Sequence, residues 1–203
     1  MLTANINKYS GNVIDNLTIT QGDKGACITY FFCCYNEPES LKADTILRSI
    51  VRQSLDSSDL PSEVERTLQR LLKDRLLDIS GLKLLLQKRL DVSKPFYMVL
   101  DALDECEKSE RTVLLTLIRD LVAMPRSPLR VFFAARNSID TEVEHWLPSV
   151  QRIIMECDQH RNDIKIYIEC SLKERIANKS LVVESEEIIT EIEDALNRGA
   201  DNM

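Results

Sequence analysis

Three short runs of consecutive apolar residues occur in the first two thirds of the chain. They span residues 25–35, 96–101 and 129–135, and read GACITYFFCCY, FYMVLD and LRVFFAA. Runs without alternating polar residues are typical of strands covered on both faces, as in a parallel sheet between two layers of helices. We therefore predict three parallel strands that are buried on both faces, and a weaker fourth strand over residues 152–156.

The segments between these runs carry apolar residues at the spacing of amphipathic helices. The pattern predicts helices over residues 41–55, 64–76, 80–90 and 113–122, with Ser40 as the N-cap of the first. Because strands alternate with helices along the chain, the predicted fold is α/β with a parallel, doubly wound sheet.

The last part of the chain has helical periodicity alone, from about residue 160 onward. This change predicts an α/β core over residues 25–158 and a small helical subdomain that starts within residues 159–203. Residues 1–24 form a segment ahead of the core.

The composition is that of a globular protein with an acidic surface. Hydrophobic residues make up 44% and charged residues 29%, and 26 basic against 33 acidic residues give a net charge of −7. Nucleic acid is a poor partner for this charge, since no run of basic residues occurs. The N-terminus does not resemble a signal peptide, and the longest apolar stretch, residues 26–35, is too short to span a bilayer. We expect a cytoplasmic protein that does not bind membranes.

Six cysteines, at positions 27, 33, 34, 106, 157 and 170, form no C-x-x-C pair. A zinc site requires convergent ligands at short spacing, and only two histidines are available. We interpret the cysteines as small hydrophobic core residues in a reducing compartment.

Three acidic residues, Asp101, Asp104 and Glu105, end and follow the second apolar run. In an open parallel sheet, ligands bind at the carboxyl ends of the strands, where Asp101 is expected. Mg²⁺ bound to substrate phosphates takes one or two carboxylates, and a further acid can orient or deprotonate an attacking water. The same residues also suit the first turn of a helix, with Asp104 as its cap. Their spacing alone leaves both interpretations open.

The segment over residues 97–106, YMVLDALDEC, resembles the extended Walker B segment of NACHT-family NTPases. Residues 25–53 resemble the second strand and helix of fungal NACHT domains, including the nephrocystin-3-like N-terminal domains, and residues 129–138 resemble the sensor strand. The resemblance covers about residues 25–203. It implies an incomplete parallel sheet of the P-loop NTPase kind, in the signal-transducing (STAND) class.

The resemblance also implies roles for individual residues. Asp101 would hold the Mg²⁺ shell, while Asp104 and Glu105 would position the attacking water, with Glu105 as the base. Arg136 would face the γ-phosphate, although an ordinary strand-end arginine paired with an acid is an equal alternative. The implied cofactors are Mg²⁺ and ATP or GTP, and the implied partners are further copies of the chain or signalling proteins.

The chain departs from the family pattern at the phosphate-binding loop. No G-x-x-x-x-G-K-[ST] motif occurs in the 203 residues. That loop would supply the backbone amides, the lysine and the hydroxyl that hold the phosphates. Within residues 1–24, only residues 9–17 resemble the end of the helix that follows the loop. In the sensor segment, Ala134, Ala135 and Asn137 replace the usual hydroxyl residues and proline.

The missing loop leaves the middle of the expected sheet open. We expect the three strands to be neighbours, with those at 96–101 and 129–135 either flanking the place of the loop's own strand or closing over it. The carboxylates should lie at the carboxyl edge of the sheet, with Arg136 pointing toward them.

Two functions from different classes are consistent with these residues. The first is a partial NACHT-type nucleotide-binding domain of an NLR-like signalling receptor, in which the nucleotide state governs self-association. The second is a non-enzymatic protein-interaction domain or a degenerate gene fragment that uses no cofactor. Under both hypotheses, we expect the chain to be a central, truncated piece of a longer receptor. We also expect this piece to bind MgATP poorly by itself.

Overall fold

The computed structural model describes residues 3–56, 60–90, 94–153, 157–183 and 185–201. The chain divides into two compact units, Met1–Val150 and Gln151–Met203. The first unit contains three strands, which are β1 Cys27–Phe32, β2 Phe96–Asp101 and β3 Leu129–Ala134.

Helices make up most of the remaining described residues. Those of the first unit are α1 Thr3–Gln21, α2 Ala43–Leu55, α3 Ser62–Lys73, α4 Ile79–Leu90, α5 Lys108–Val122 and α6 Asp140–Trp146. Those of the second unit are α7 Cys157–Ala177 and α8 Glu186–Asp201. The structure thus has a helix at each place where the apolar spacing predicts one, with ends that differ by a few residues.

The three strands form one parallel sheet in the order β1-β2-β3. Phe96 of β2 lies opposite Cys27 of β1 and Leu129 of β3, and the same register carries Asp101 to a position opposite Ala134. The expectation that the three strands are neighbours is confirmed. Since β2 and β3 are hydrogen-bonded to each other, no further strand lies between them.

The two faces of the sheet are covered by different helices. Successive side chains of a strand point to opposite faces, so Phe96, Met98 and Leu100 share one face. These three residues pack in the main hydrophobic core together with side chains of α2, α3, α4 and α5. The other face contacts α1 through β1 and β2. Helices on both faces are what the doubly wound arrangement requires.

Burial differs between the central strand and the two edge strands. All six residues of β2 are buried, whereas most of β1 and β3 is half-buried and Tyr30 is 41% exposed. The prediction of strands buried on both faces is therefore right for β2 and wrong for β1 and β3. The reason is that each edge strand has a sheet neighbour on one side only.

The outer edge of β1 is protected by one side chain from α2. The Gln53 side chain accepts a hydrogen bond from the Tyr30 N–H (2.9 Å) and donates one to the Tyr30 carbonyl (2.8 Å). An exposed edge with free backbone groups is a template for pairing with other chains. Gln53 occupies both groups at the centre of this edge.

The prediction of Ser40 as an N-cap is wrong. A 3₁₀ turn over Pro38–Leu41 precedes α2, so the helix begins later, at Ala43. The Ser40 hydroxyl instead accepts from the Cys34 N–H (2.9 Å) and donates to the Glu37 carbonyl (2.7 Å). The first N–H of α2, that of Ala43, donates to the Glu110 carboxylate of α5 at 2.8 Å.

The predicted fourth strand is not tested over its full length. Arg152 and Ile153 have no regular secondary structure, and residues 154–156 lie outside the described residues. The predicted segment boundaries after residues 24 and 158 stay predictions. In the described part of the chain, no helix combines the length and the apolar character needed to cross a lipid bilayer.

Two helical glycines provide a test of the packing. A Cβ added to Gly81 in α4 would lie 2.0 Å from the Leu76 carbonyl oxygen, whereas a Cβ on Gly11 in α1 would meet no atom within 4 Å. We expect Gly81→Ala to lower the free energy of unfolding by about 1–3 kcal/mol, because backbone must shift. Gly11→Ala should raise it by about 0.5–1 kcal/mol through helix propensity.

Urea unfolding of both variants, followed by circular dichroism, measures these changes. A stabilising Gly81→Ala would contradict the close approach of the Leu76 carbonyl to α4.

Candidate functional site

The ends of β2 and β3 bring polar residues to one edge of the sheet. Because the strands are parallel and Asp101 pairs in register with Ala134, the chain leaves both strands at the same carboxyl edge. Ala102 follows Asp101 with a φ of 55°, a left-handed conformation that is uncommon for a residue with a side chain. It directs the chain into a 3₁₀ turn over Leu103–Glu105.

Arg136 contacts both acidic side chains of this turn. Its backbone N–H donates to the Asp104 carboxylate (3.2 Å), and its guanidinium lies 3.4 Å from Asp104 and 3.1 Å from Glu105. The side chains of Asp104 and Glu105 are only 7% and 16% exposed, whereas that of Arg136 is 56% exposed. The structure therefore brings these three predicted site residues together, with the arginine on the solvent side of the acids.

Asp101 lies at the same edge, but its carboxylate is fully buried. Since side chains alternate along β2, Asp101 shares a face with Tyr97 and Val99, opposite the main core and on the side of α1. Neither carboxylate oxygen has a hydrogen-bond partner, and the buried hydroxyl of Ser10 in α1 has none either. The four predicted site residues thus form an ion-paired group and a separate buried carboxylate.

The environment of Asp101 disfavours its charged form. Burial raises the pKa of the carboxyl, the nearby Ala102 N–H and Ser10 hydroxyl lower it in part, and the charge of Asp104 raises it further. The two lowering groups lie near the carboxylate without reaching hydrogen-bond geometry. Desolvation therefore dominates at Asp101.

A second arginine fixes the acidic turn from the side of the helices. Arg111 of α5 donates through Nη1 to the carbonyls of Asp104 (3.3 Å) and Cys106. Its other nitrogens donate to the Glu142 carboxylate of α6, at 3.1 and 2.9 Å. Both side chains of this pair are at most 15% exposed, and charge-assisted bonds of this kind are strong. The turn is thus held between α5, α6 and Arg136.

Comparison with known proteins identifies a family that this chain matches. The model of the family described as Nephrocystin 3, N-terminal matches residues 9–136, which is more than half of the chain. The chain belongs to the nephrocystin-3 N-terminal family. Neither the comparison with curated proteins nor that with solved structures gave a match.

The nephrocystin-3 N-terminal match contains all four predicted site residues. It begins within α1, one residue before Ser10, and ends at Arg136. The three strands and the acidic turn of this family member therefore lie inside the matched range. The roles of Asp101, Asp104, Glu105 and Arg136 stay predictions.

The acidic edge offers only a few groups to a metal ion or to a nucleotide. Mg²⁺ prefers oxygen ligands, and the unpartnered oxygens of Asp101 and Ser10 are of that kind. Among the described residues, no three His, Cys, Asp or Glu side chains converge on a common point. Gly25, the one glycine with a positive φ in the described residues, lies at the amino end of β1 and not at this edge. Asp101 and Ser10 therefore provide the unpartnered oxygens for a cation at this edge, and the 203-residue sequence contains no G-x-x-x-x-G-K-[ST] loop to hold phosphates.

Ser10, Arg111 and Glu142 were not identified from the sequence. Ser10 is separated from Asp101 by 91 positions, and nothing in the chain around it indicates that α1 covers the end of β2. Arg111 and Glu142 lie on the polar faces of their helices, where charged residues are ordinarily solvated. A tertiary fold is needed to find all three.

Replacing the buried carboxylate should stabilise the protein. The folded-state pKa of Asp101 is raised, so the penalty of its charge is absent below the unfolded pKa of about 3.9 and grows as the pH rises above it. We expect Asp101→Asn to raise the free energy of unfolding at pH 7 by about 1–3 kcal/mol. The gain should shrink as the pH falls toward 4. Urea unfolding at several pH values measures it.

Asp120 is the matched control, because the pKa of its carboxyl is shifted the other way. Hydrogen bonds from Lys83 and Arg119 lower that pKa, so its stabilising effect is present at neutral pH and is lost in acid. Asp120→Asn should lower the stability at pH 7 by about 0.2–1 kcal/mol. A destabilising Asp101→Asn would mean that the carboxylate has a partner in solution.

Proposed function

We propose that this chain provides the metal-binding and water-positioning side of a NACHT-type nucleotide-binding domain in an NLR-like signalling receptor. The proposal rests on one observation, namely that Asp104, Glu105 and Arg136 meet at the carboxyl edge shared by β2 and β3. In open parallel sheets this edge is where ligands bind. Membership in a family associated with NACHT-type NTPases supports it independently.

Asp101 and Ser10 are the proposed metal-binding residues. Their oxygens are buried and unpartnered, which is unfavourable unless a cation or a proton satisfies them. A bound Mg²⁺ would supply positive charge to phosphate oxygens at this edge. The raised pKa of Asp101 means that a metal must compete with a proton for the carboxylate.

Asp104 and Glu105 are the proposed residues that orient the attacking water, with Glu105 as the base. In the present arrangement both carboxylates form ion pairs with Arg136, at 3.4 and 3.1 Å. The guanidinium lies on the solvent side of these two carboxylates, where an attacking water would approach them. We infer that Arg136 must move away before either acid contacts the attacking water, and that a γ-phosphate is the anion that draws it away.

The fold type proposed here is an incomplete P-loop NTPase sheet. The parallel order β1-β2-β3 is compatible with it, with β2 and β3 paired directly. The proposed receptor is of the kind found in fungi and acts in the cytoplasm. It transmits its nucleotide state through self-association or through contact with signalling proteins. ATP and GTP are both consistent with the residues at this edge.

A protein-interaction domain without nucleotide chemistry is the second candidate. It is favoured by the absence of any G-x-x-x-x-G-K-[ST] motif in the 203 residues and by the full pairing of Arg136 with acids of its own chain. In that case Asp101 would be a buried charge without a ligand. The behaviour of the chain toward Mg²⁺ separates the two candidates.

Magnesium should stabilise the chain through Asp101. For a dissociation constant of about 1 mM, about 10 mM Mg²⁺ contributes roughly 1.4 kcal/mol and raises Tm by roughly 3–6 °C. The shift should disappear in Asp101→Asn and persist in Asp120→Asn, which removes an acid at the surface. Differential scanning calorimetry measures it. An equal shift in all three proteins, or none, would favour the protein-interaction domain.

MgATP should bind the chain by itself only weakly, in the millimolar range or above. Loop amides, the amino end of a helix and the loop lysine provide the phosphate-binding groups of P-loop NTPases. Without such a loop, the acids of this edge repel a polyphosphate. Isothermal titration calorimetry measures the affinity, and hydrolysis should not exceed the background rate. Micromolar binding that is lost in Asp101→Ala would contradict this prediction.

A further inference from the structure

Two buried cysteines meet beside the acidic turn. Cys33 directly follows β1, and Cys106 directly follows the 3₁₀ turn over Leu103–Glu105. Their Sγ atoms are 3.6 Å apart, although the residues are 73 positions apart in the chain. Their exposed fractions are 5% and 2%, and both are free thiols. Nothing in the proposed nucleotide chemistry uses this pair.

We propose that Cys33 and Cys106 are a modification site, at which a hydroperoxide oxidises the two thiols to a reversible intramolecular disulfide. This inference does not rest on the proposed nucleotide function, since it depends only on the two sulfur atoms and the backbone that holds them.

Backbone contacts hold the two cysteines beside each other. The Cys33 N–H donates to the carbonyl of Asp101 at 3.0 Å, which fixes the end of β1 against the end of β2. The Cys106 carbonyl accepts from the guanidinium of Arg111. A disulfide requires the sulfurs to approach to about 2.05 Å, which is about 1.5 Å less than their present separation.

The pair also contains a nucleophile. The two thiols share a hydrogen bond in which either sulfur can be the donor. The guanidinium of Arg111 is hydrogen-bonded to the Cys106 carbonyl, so a positive charge that favours a thiolate lies on the Cys106 side of the pair. Cys106 is therefore the attacking sulfur, and Cys33 is the thiol that resolves the product.

The reaction balances with a hydroperoxide as the oxidant. The Cys106 thiolate attacks one peroxide oxygen, the O–O bond breaks, and a sulfenic acid forms while hydroxide leaves and is protonated. The Cys33 sulfur then attacks the sulfenic sulfur, loses its proton, and displaces the oxygen as water. In total, two thiols and one hydrogen peroxide give one disulfide and two waters.

Burial sets the rate of this reaction. A buried thiol reacts slowly with reagents in solution, so oxidation requires local opening of the acidic turn. Once formed, the disulfide links the end of β1 to the turn that carries Asp104 and Glu105. It also constrains the unfolded chain over a long loop, which is the main way in which disulfides stabilise proteins.

The test is oxidation of the reduced 203-residue chain with hydrogen peroxide. We expect a monomer that has lost two hydrogen atoms in mass and contains a Cys106 peptide joined to the peptide between Lys24 and Lys42. The melting temperature should rise by roughly 5–15 °C and return to its original value when dithiothreitol reduces the bond.

Single variants identify which sulfur is joined to Cys106, since the peptide between Lys24 and Lys42 contains Cys27, Cys33 and Cys34. Cys33→Ala should abolish the linked peptide, whereas Cys34→Ala and Cys27→Ala should retain it. Cys34 is the closest control, because it is adjacent in sequence and also a free thiol.

Two outcomes would overturn the proposal. One is that alkylation after denaturation finds Cys33 and Cys106 still reduced after peroxide treatment has been continued until no further thiol of the chain is lost. The other is a disulfide that persists in Cys33→Ala or that joins two molecules. If Cys33→Ala fails to fold, the Cys34→Ala and Cys27→Ala variants still decide, because loss of the link in either one assigns it to another sulfur.

Discussion

The burial of β2 is the constraint on which the rest of the structure depends. This strand has sheet neighbours on both sides and helices on both faces, and all six of its residues are buried, including the charged residue at its end. Burying Phe96, Met98 and Leu100 contributes about 1.5–3 kcal/mol each. The same burial removes Asp101 from contact with solvent. The hydrophobic effect that forms the sheet therefore also places an unpaired carboxylate at its edge.

The sequence predicts the sheet well because its signal is local. The runs at β1, β2 and β3 are continuous and apolar, and alternation with helical segments is enough to predict a parallel sheet. The sequence predicts the burial of the two edge strands less well. Whether β1 and β3 are covered on both faces depends on which strands exist beside them, and no pattern within a strand records that. Ser40 failed as an N-cap for a similar reason, since the 3₁₀ turn around Pro38 decides where α2 begins.

For the site, the sequence predicts which residues are acidic and where they leave the sheet. It does not predict what holds them. Arg111 and Glu142 come together from two helices, Ser10 comes from a third, and Cys33 meets Cys106 across 73 positions. Each of these contacts is a consequence of packing. Residue spacing carries information about one element at a time, and it cannot report pairs that only the tertiary fold creates.

The turn over Leu103–Glu105 is the point at which these contacts meet. Arg136 joins it to β3, Arg111 joins it to α5 and α6, and the Cys106 sulfur joins its end to β1. Because the turn is short and begins at a left-handed Ala102, it has little freedom to change one contact while keeping the others. An anion that removed Arg136, or an oxidant that joined the two thiols, would therefore act on the same few residues. A disulfide would hold the end of the turn against β1, whereas Arg136, whose side chain lies on the solvent side of the acids, would leave the turn toward solvent.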